Sequence, residues 1–158
     1  MSKLPHLVRR FLWSLHARPL SPREQAEAAG LLRPDERTLF WRQQAIDQRH
    51  GLEGARRVLR RRPGERTLAR AALLHDVGKR QANLGIVGRS LASGVRLFGI
   101  TPRRWRPYYD HARRGAEALR RSGAEELVVE WARVHTSSQR PPSIDDADWR
   151  SLKEADDA

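Results

Sequence analysis

A chain of 158 residues, with 39% hydrophobic and 32% charged side chains, fits one folded domain with a buried core rather than a disordered segment. It contains no cysteine, which excludes a disulfide framework, a thiolate zinc site and catalysis by a cysteine nucleophile. No stretch approaches the roughly 20 apolar residues that span a bilayer, and the apolar run at residues 11–15 is too short for the core of a signal peptide. We therefore expect a cytoplasmic protein without a transmembrane segment.

The net charge of +12 is unevenly distributed along the chain. Residues 1–124 carry 27 basic and 10 acidic side chains, a net charge of +17, whereas residues 125–158 carry 4 basic and 9 acidic ones, a net charge of −5. A strongly basic body attracts anions, whether phosphorylated small molecules or nucleic acids. The charge alone therefore indicates an anionic partner without identifying it.

The first predicted elements are two helices in the N-terminal part of the chain. Apolar residues at helical spacing predict an amphipathic helix over residues 3–16, which we expect to pack on the rest of the protein, with a membrane surface as the alternative. Residues 21–24, Ser-Pro-Arg-Glu, place a capping serine, a proline at the first helical position and a glutamate at the third, which is a strong helix start. That second helix is expected to end near Gly30. We predict that residues 1–34 form a helical extension packed on a body formed by residues 35–158.

The body is predicted to be a bundle of helices. They are expected over residues 35–62, 67–76, 107–121, 124–135 and 145–154, with a short helix at about 90–97 inside a glycine-containing loop region. No segment alternates apolar and polar residues for long enough to make a sheet. The predicted fold class is all-α.

Four histidines fall on four different predicted helices of the body, each near a helix end or a glycine: His50, His75, His111 and His135. A single histidine is more often a surface or hydrogen-bonded core residue than a metal ligand. The adjacent pair His75-Asp76, however, ends an apolar helix, and a buried carboxylate beside an imidazole is costly unless a cation pairs with it. A bound metal would supply that cation, and Gly78 would let the chain turn away immediately after it.

Residues 75–79, His-Asp-Val-Gly-Lys, resemble the signature of the HD-domain superfamily of metal-dependent phosphohydrolases, whose fold is a compact helical bundle with the metal site in its core. The resemblance extends to an upstream histidine, to two later histidines of the superfamily's binuclear branch and to a final aspartate, matched here by His50, His111, His135 and Asp156. It covers roughly residues 40–157. The resemblance thus accounts for all four histidines of the body.

The resemblance implies two divalent transition-metal ions. One would be held by His50, His75, Asp76 and Asp156, and the second by His111 and His135, with Asp76 bridging the two. Asp157 is the alternative to Asp156 as the final ligand. Imidazole and carboxylate ligands suit Fe, Mn, Co, Ni or Zn better than a lone Mg, which narrows the metal without identifying it.

A site of this kind implies hydrolysis of a phosphoester by a metal-bridging hydroxide. Asp76 and Lys79 would be the catalytic residues, and Lys79 would also hold a non-bridging oxygen of the substrate. Arg80, Arg104 and Arg106 supply guanidinium groups suited to binding phosphate. We therefore expect a metal-dependent phosphohydrolase that acts on a nucleotide or another small phosphoester.

Two other functions are compatible with the sequence. The superfamily also contains oxygenases with a mixed-valence diiron site, and the spacing of the ligands does not separate these from hydrolases. In the other alternative the metal is only structural and the basic body binds nucleic acid, with an affinity that falls steeply with salt and survives loss of the metal. The oligomeric state is left open by the sequence.

Overall fold

The computed structural model describes residues 18–82 and 110–157, with side chains for residues 18–79 and 110–157. These residues form α-helices and no strand, which confirms the predicted all-α fold. The helices are α1 (Pro22–Leu31), α2 (Pro34–Trp41), α3 (Ala45–Arg61), α4 (Arg66–Leu74), a 3₁₀ helix (Val77–Ala82), α5 (His111–Arg121), α6 (Glu126–Val134) and α7 (Asp146–Asp156). Among the described helices, none has the length and apolar character to cross a membrane. The helices predicted over residues 3–16 and 90–97 lie outside the described residues.

Helix α1 begins with the cap that the sequence predicts. The main-chain N–H of Ser21 donates to the Glu24 carboxylate at 2.8 Å, and the main-chain N–H of Glu24 donates to the Ser21 hydroxyl at 3.4 Å. Arg49 of α3 reaches the same carboxylate at 2.9 Å. Hydrogen bonds from Arg49 and from Ser21 lower the pKa of Glu24 to about 2, so the carboxylate stays charged and ties α1 to α3.

The single helix expected over residues 35–62 is interrupted, and this part of the prediction is wrong. Residues 42–44 separate α2 from α3, and Gln44 has the extended backbone of a helix N-cap. The side-chain amide of Gln48 donates to the main-chain oxygens of Trp41 at 3.2 Å and Gln43 at 3.1 Å, so it satisfies carbonyls near the end of α2. A cap supplied from the following helix leaves the apolar spacing nearly unchanged, which is why the spacing did not reveal the break.

Helix α4 is the centre of the bundle, because every residue from Leu68 to Leu74 is buried. It packs against α3 on one side and α6 on another, with α7 lying across both α3 and α4. The α3–α4 contact is very close at Gly51, where a Cβ atom would lie 2.5 Å from the main-chain oxygen of Leu73. This close packing brings the middle of α3 beside the C-terminal end of α4.

An ionic network around Arg70 joins α2, α4 and the start of α6. Glu36 of α2 is fully buried, and burial raises the pKa of its carboxyl group. Arg70 of α4 lies 3.4 Å from the Glu36 carboxylate through Nε and 2.7 Å from Glu125, the N-cap of α6, through Nη2. Arg70 is itself buried, so its guanidinium is the cation that makes the burial of Glu36 tolerable.

Replacing Arg70 with methionine is therefore expected to lower the free energy of unfolding by about 3 kcal/mol, the usual cost of removing one partner from a buried ion pair. Urea denaturation followed by circular dichroism measures this change. The control is Arg113→Met, which removes an exposed pair with Glu117 and should change the free energy by no more than about 0.5 kcal/mol. Equal effects of the two substitutions would contradict the role given to Arg70.

Candidate metal centre

Six residues singled out from the sequence meet at one place in the core. His75 follows the last residue of α4 and is its C-cap, Asp76 is next in the chain, and His135 is the C-cap of α6. The others lie in the middle of α3, at the first residue of α5 and at the last residue of α7: His50, His111 and Asp156. The site is thus built from the ends of several helices and from His50 within α3, which the packing of the bundle brings together.

One group of side chains lies on the α3 and α7 side of this site. The nearest carboxylate oxygen of Asp156 is 3.0 Å from Nε2 of His75 and 3.4 Å from Nε2 of His50. Nε2 of His75 is also 3.3 Å from Oδ2 of Asp76. One atom from each of His50, His75 and Asp76 lies within 4.8 Å of the others, close enough to bind one metal ion. Asp157, the alternative to Asp156, is exposed and follows the end of α7.

A second group lies on the α5 and α6 side and shares Asp76 with the first. Nε2 of His111 and Nε2 of His135 are 3.2 Å apart. Oδ1 of Asp76 lies 3.5 Å from the His135 nitrogen and 3.8 Å from the His111 nitrogen, and all three atoms lie within 4.8 Å of one another. Asp76 therefore presents one oxygen, Oδ2, to the first group and the other, Oδ1, to the second, as a carboxylate between two ions would.

Two of the imidazole rings are oriented by the same local arrangement. Nδ1 of His75 lies 2.8 Å from the main-chain oxygen of Ala72, and Nδ1 of His135 lies 2.9 Å from that of Ala132. Each acceptor is three residues earlier, among the carbonyls that the end of a helix leaves free. When Nδ1 donates to such a carbonyl, Nε2 faces the cluster, and second-shell contacts of this kind hold metal-binding histidines in position.

The chemistry of the buried atoms fits a cation. His75, Asp76 and His135 are each no more than 3% exposed. Among the described residues, Asp76 Oδ1 and His75 Nε2 are buried atoms without a partner at hydrogen-bonding geometry. Leaving such a group unsatisfied costs about 1–3 kcal/mol, and more where the group is charged. A metal ion bound between these atoms would satisfy both.

The charges of the site also favour a bound cation. Burial opposes a proton on His75, but the carboxylates of Asp76 and Asp156 outweigh it and raise the pKa of His75 to about 10. Burial raises the pKa values of the Asp76 and Asp156 carboxyl groups, but the charges of their neighbours outweigh burial and lower both values. His75 acts on both carboxyl groups, and Lys79 also acts on that of Asp76. Burial lowers the pKa of His50. The two carboxylates thus favour a positive charge at this place, which a metal ion would supply.

The helix ends add to this negative potential. The C-terminal ends of α4, α6 and α7 lie at the site, and the C-terminal end of a helix carries a partial negative charge that favours cations. Helix α5, by contrast, begins at His111, so its positive end lies beside the second group of ligands. The site therefore combines a favourable place for cations with a positive helix end next to it.

Of the residues expected to bind substrate, Lys79 is the one whose side chain the structure describes. It lies on the 3₁₀ helix, and its ammonium group is 2.5 Å from Oδ2 of Asp76. The side chain of Arg80, and Arg104 and Arg106 entirely, lie outside the described residues, so their roles stay predictions.

The sequence did not predict the contacts of the histidine rings with the carbonyls of Ala72 and Ala132. A signal was available in both places, because each histidine ends an apolar helix three residues after an alanine.

A family model described as HD domain matches residues 49–157. This range covers more than half of the chain and contains all six residues of the candidate metal centre. No curated protein and no solved structure matches the chain.

Proposed function

The chain belongs to the HD-domain family, and from this premise we propose that it is a metal-dependent phosphohydrolase acting on a nucleotide or another small phosphoester. The observation that carries the proposal is the position of Asp76 between two groups of histidines, with one carboxylate oxygen turned to each. Four imidazoles and two carboxylates form a ligand set suited to two transition-metal ions.

The proposed division of the ligands follows the two groups. His50, His75 and Asp156 would hold the first ion and His111 and His135 the second, with Asp76 shared between them. Two such ions, when bound, supply a water of lowered pKa as the nucleophile and offset charge on the phosphoryl oxygens. Hydrolysis then joins the water oxygen to phosphorus and breaks the bond from phosphorus to the leaving oxygen, which takes up a proton.

Lys79 is proposed to bind a non-bridging oxygen of the substrate. Its ammonium group lies beside Asp76, at the edge of the ligand cluster, and the positive end of α5 lies on the other side of the shared carboxylate. Both features favour an anion next to the metal ions. Lys79 would hold the phosphoryl group in place while its charge changes, which is the contribution expected of an ammonium group in phosphoryl transfer.

Metal content tests the two-ion arrangement directly. Protein purified without chelator or added metal is expected to contain close to two metal ions per chain by elemental analysis, and His111→Ala close to one, because the variant lacks a ligand of the second ion only. His6→Ala is the control, since His6 lies outside the family match and should leave the content unchanged. One ion or fewer in both wild type and His111→Ala would contradict the second site.

Activity distinguishes the hydrolase from the two other functions considered. Hydrolysis of a member of a panel of phosphomonoesters, phosphodiesters and nucleotides supports the proposal, with phosphate, a nucleoside or, from a diester, a phosphomonoester as the product. An all-iron protein with substrate-dependent oxygen uptake and no phosphoester cleavage would favour the diiron oxygenase. Nucleic-acid binding that survives metal removal would favour the binding module, although several arginines of the basic body pair with acidic side chains: Arg49, Arg56 and Arg62.

A further inference from the structure

Lys153 connects the two halves of the candidate metal centre from outside the ligand set. It lies on α7, three residues before Asp156, so the two side chains project from adjacent turns of the same helix. Its ammonium group donates to the main-chain oxygen of His135 at 2.9 Å and to that of Ser137 at 3.2 Å. The helix that carries a ligand of the first group thereby holds the turn that carries a ligand of the second.

The environment of the ammonium group makes this link well defined. Nζ of Lys153 lies 5.9 Å from the ring centre of Trp131 and 5.5 Å from that of Trp149, and the two indoles meet edge to face. Trp131 is fully buried and Trp149 nearly so. A cation held against two aromatic rings and two carbonyls has little freedom to take another position.

One carbonyl that accepts from Lys153 belongs to the C-cap of α6, and the other lies two residues further along the turn. His135 is the C-cap of α6, and a cation placed there also meets the partial negative charge of the helix end. His135 is thus held twice, because its ring binds the Ala132 carbonyl of its own helix and its main chain binds Lys153 of α7.

We propose that Lys153 is a positioning residue that sets the place of His135 relative to Asp76, and through it the affinity of the second metal position. This inference rests on the two-ion centre proposed above. Without the ammonium group, the turn after α6 would lose two hydrogen bonds to α7, and Nε2 of His135 would be held less firmly at its 3.5 Å distance from Asp76 Oδ1. The first group does not include His135, so its affinity should change little.

The test compares Lys153→Met, which removes the ammonium group and keeps an unbranched side chain one atom shorter, with Lys153→Arg, which keeps a cation that can donate to both carbonyls. The full chain is freed of metal with a chelator and titrated with Mn²⁺ by equilibrium dialysis, and His111→Ala identifies which dissociation constant belongs to the second position. Lys153→Met is expected to weaken the second position by about 10- to 100-fold, as removal of a supporting contact does at metal sites. The dissociation constant of the first position should stay within about threefold of the wild-type value. Lys153→Arg should restore the wild-type constant of the second position.

Arg150→Met is the matched control, because Arg150 lies one turn earlier on α7, is 69% exposed and pairs only along its own helix with Asp146 among the described contacts. A purely structural effect of Lys153→Met would weaken both positions together, which would overturn the positioning role. If Lys153→Met does not fold by circular dichroism, Lys153→Gln keeps an amide donor without the charge and is expected to show the same selective loss at smaller size.

Failure of this inference and failure of the proposed function give different results. If wild type binds two Mn²⁺ ions and the lysine variants match both of its constants, the role of Lys153 is wrong while the metal centre stands. If wild type binds fewer than two, the two-ion centre itself fails, and the position that Lys153 is proposed to serve does not exist.

Discussion

Asp76→Asn is expected to remove both metal ions and to reduce kcat/KM for a phosphoester substrate by about 10³-fold, which corresponds to roughly 4 kcal/mol of lost transition-state stabilisation. Asp76 is the one residue that belongs to both groups of the candidate centre, with Oδ2 toward His75 and Oδ1 toward His135. Asparagine has nearly the same volume but no charge, so the substitution removes the shared anion without opening a cavity.

The measurement combines elemental analysis with steady-state kinetics on the best substrate of the phosphoester panel. Asp157→Asn is the matched control, because Asp157 is exposed and adjoins the proposed ligand Asp156, and it should leave both quantities unchanged. Circular dichroism checks that Asp76→Asn is folded. Full activity of folded Asp76→Asn would exclude the shared carboxylate from the reaction, and retention of two ions would exclude it from their binding.

Gly78→Ala is expected to lower the stability of the fold and, unlike the substitution of Arg70, to disturb the metal centre as well. A Cβ atom at Gly78 would lie 1.9 Å from the main-chain oxygen of His111 and 2.6 Å from the main-chain nitrogen of Gly115. Both atoms belong to the backbone of α5, which cannot move aside as the end of a flexible side chain can. The 3₁₀ helix would have to separate from α5, and His111 would move away from Asp76 with it.

We expect this substitution to lower the free energy of unfolding by about 3 kcal/mol, the upper part of the range for overpacking in a core. For a chain of this size that change lowers Tm by roughly 6–12 °C. The variant should also lose the second metal ion, because α5 carries one of its ligands. Differential scanning calorimetry and elemental analysis measure the two effects.

Gly30→Ala is the control for this experiment. Gly30 lies in α1, and a Cβ atom there would have no heavy atom within 4 Å beyond its own helix and its chain neighbours. Alanine favours the helix over glycine by up to about 1 kcal/mol, so this variant should be as stable as wild type or slightly more stable. A Tm of Gly78→Ala equal to that of Gly30→Ala would show that α5 yields easily and that the close contact is unimportant.

The sequence singled out Gly78 without revealing the contact that excludes a side chain there. The sequence suggested that this glycine lets the chain turn away after the His-Asp pair. Among the described residues, however, the glycines with positive φ are Gly64 and Gly123, and Gly78 is instead the point where the 3₁₀ helix touches α5. Local sequence shows that a side chain is missing, but the backbone that occupies the space belongs to a helix more than 30 residues away in the chain.

The division between α2 and α3 has a similar origin. Apolar spacing predicted helix throughout residues 35–62 because the buried positions continue on both sides of the break. The hydrogen bonds from Gln48 to the Trp41 and Gln43 carbonyls, which cap the end of α2 from the next helix, are not visible as a period of apolar residues. By contrast, the start of α1 was predictable, since its capping box is formed by residues three positions apart.

The sequence by itself determined the elements whose physical causes are local: the all-α class, the Ser21 cap and the His75-Asp76 pair at the end of an apolar helix. It also carried the spaced histidines on which the family resemblance rests. Their meeting in one cluster was decided by tertiary structure, because His50, His111 and Asp156 come from helices that touch only after the bundle packs. The same packing turned Asp156 rather than Asp157 toward the histidines and placed Lys153 on the His135 carbonyl, contacts between residues too far apart in the chain for any local pattern to report.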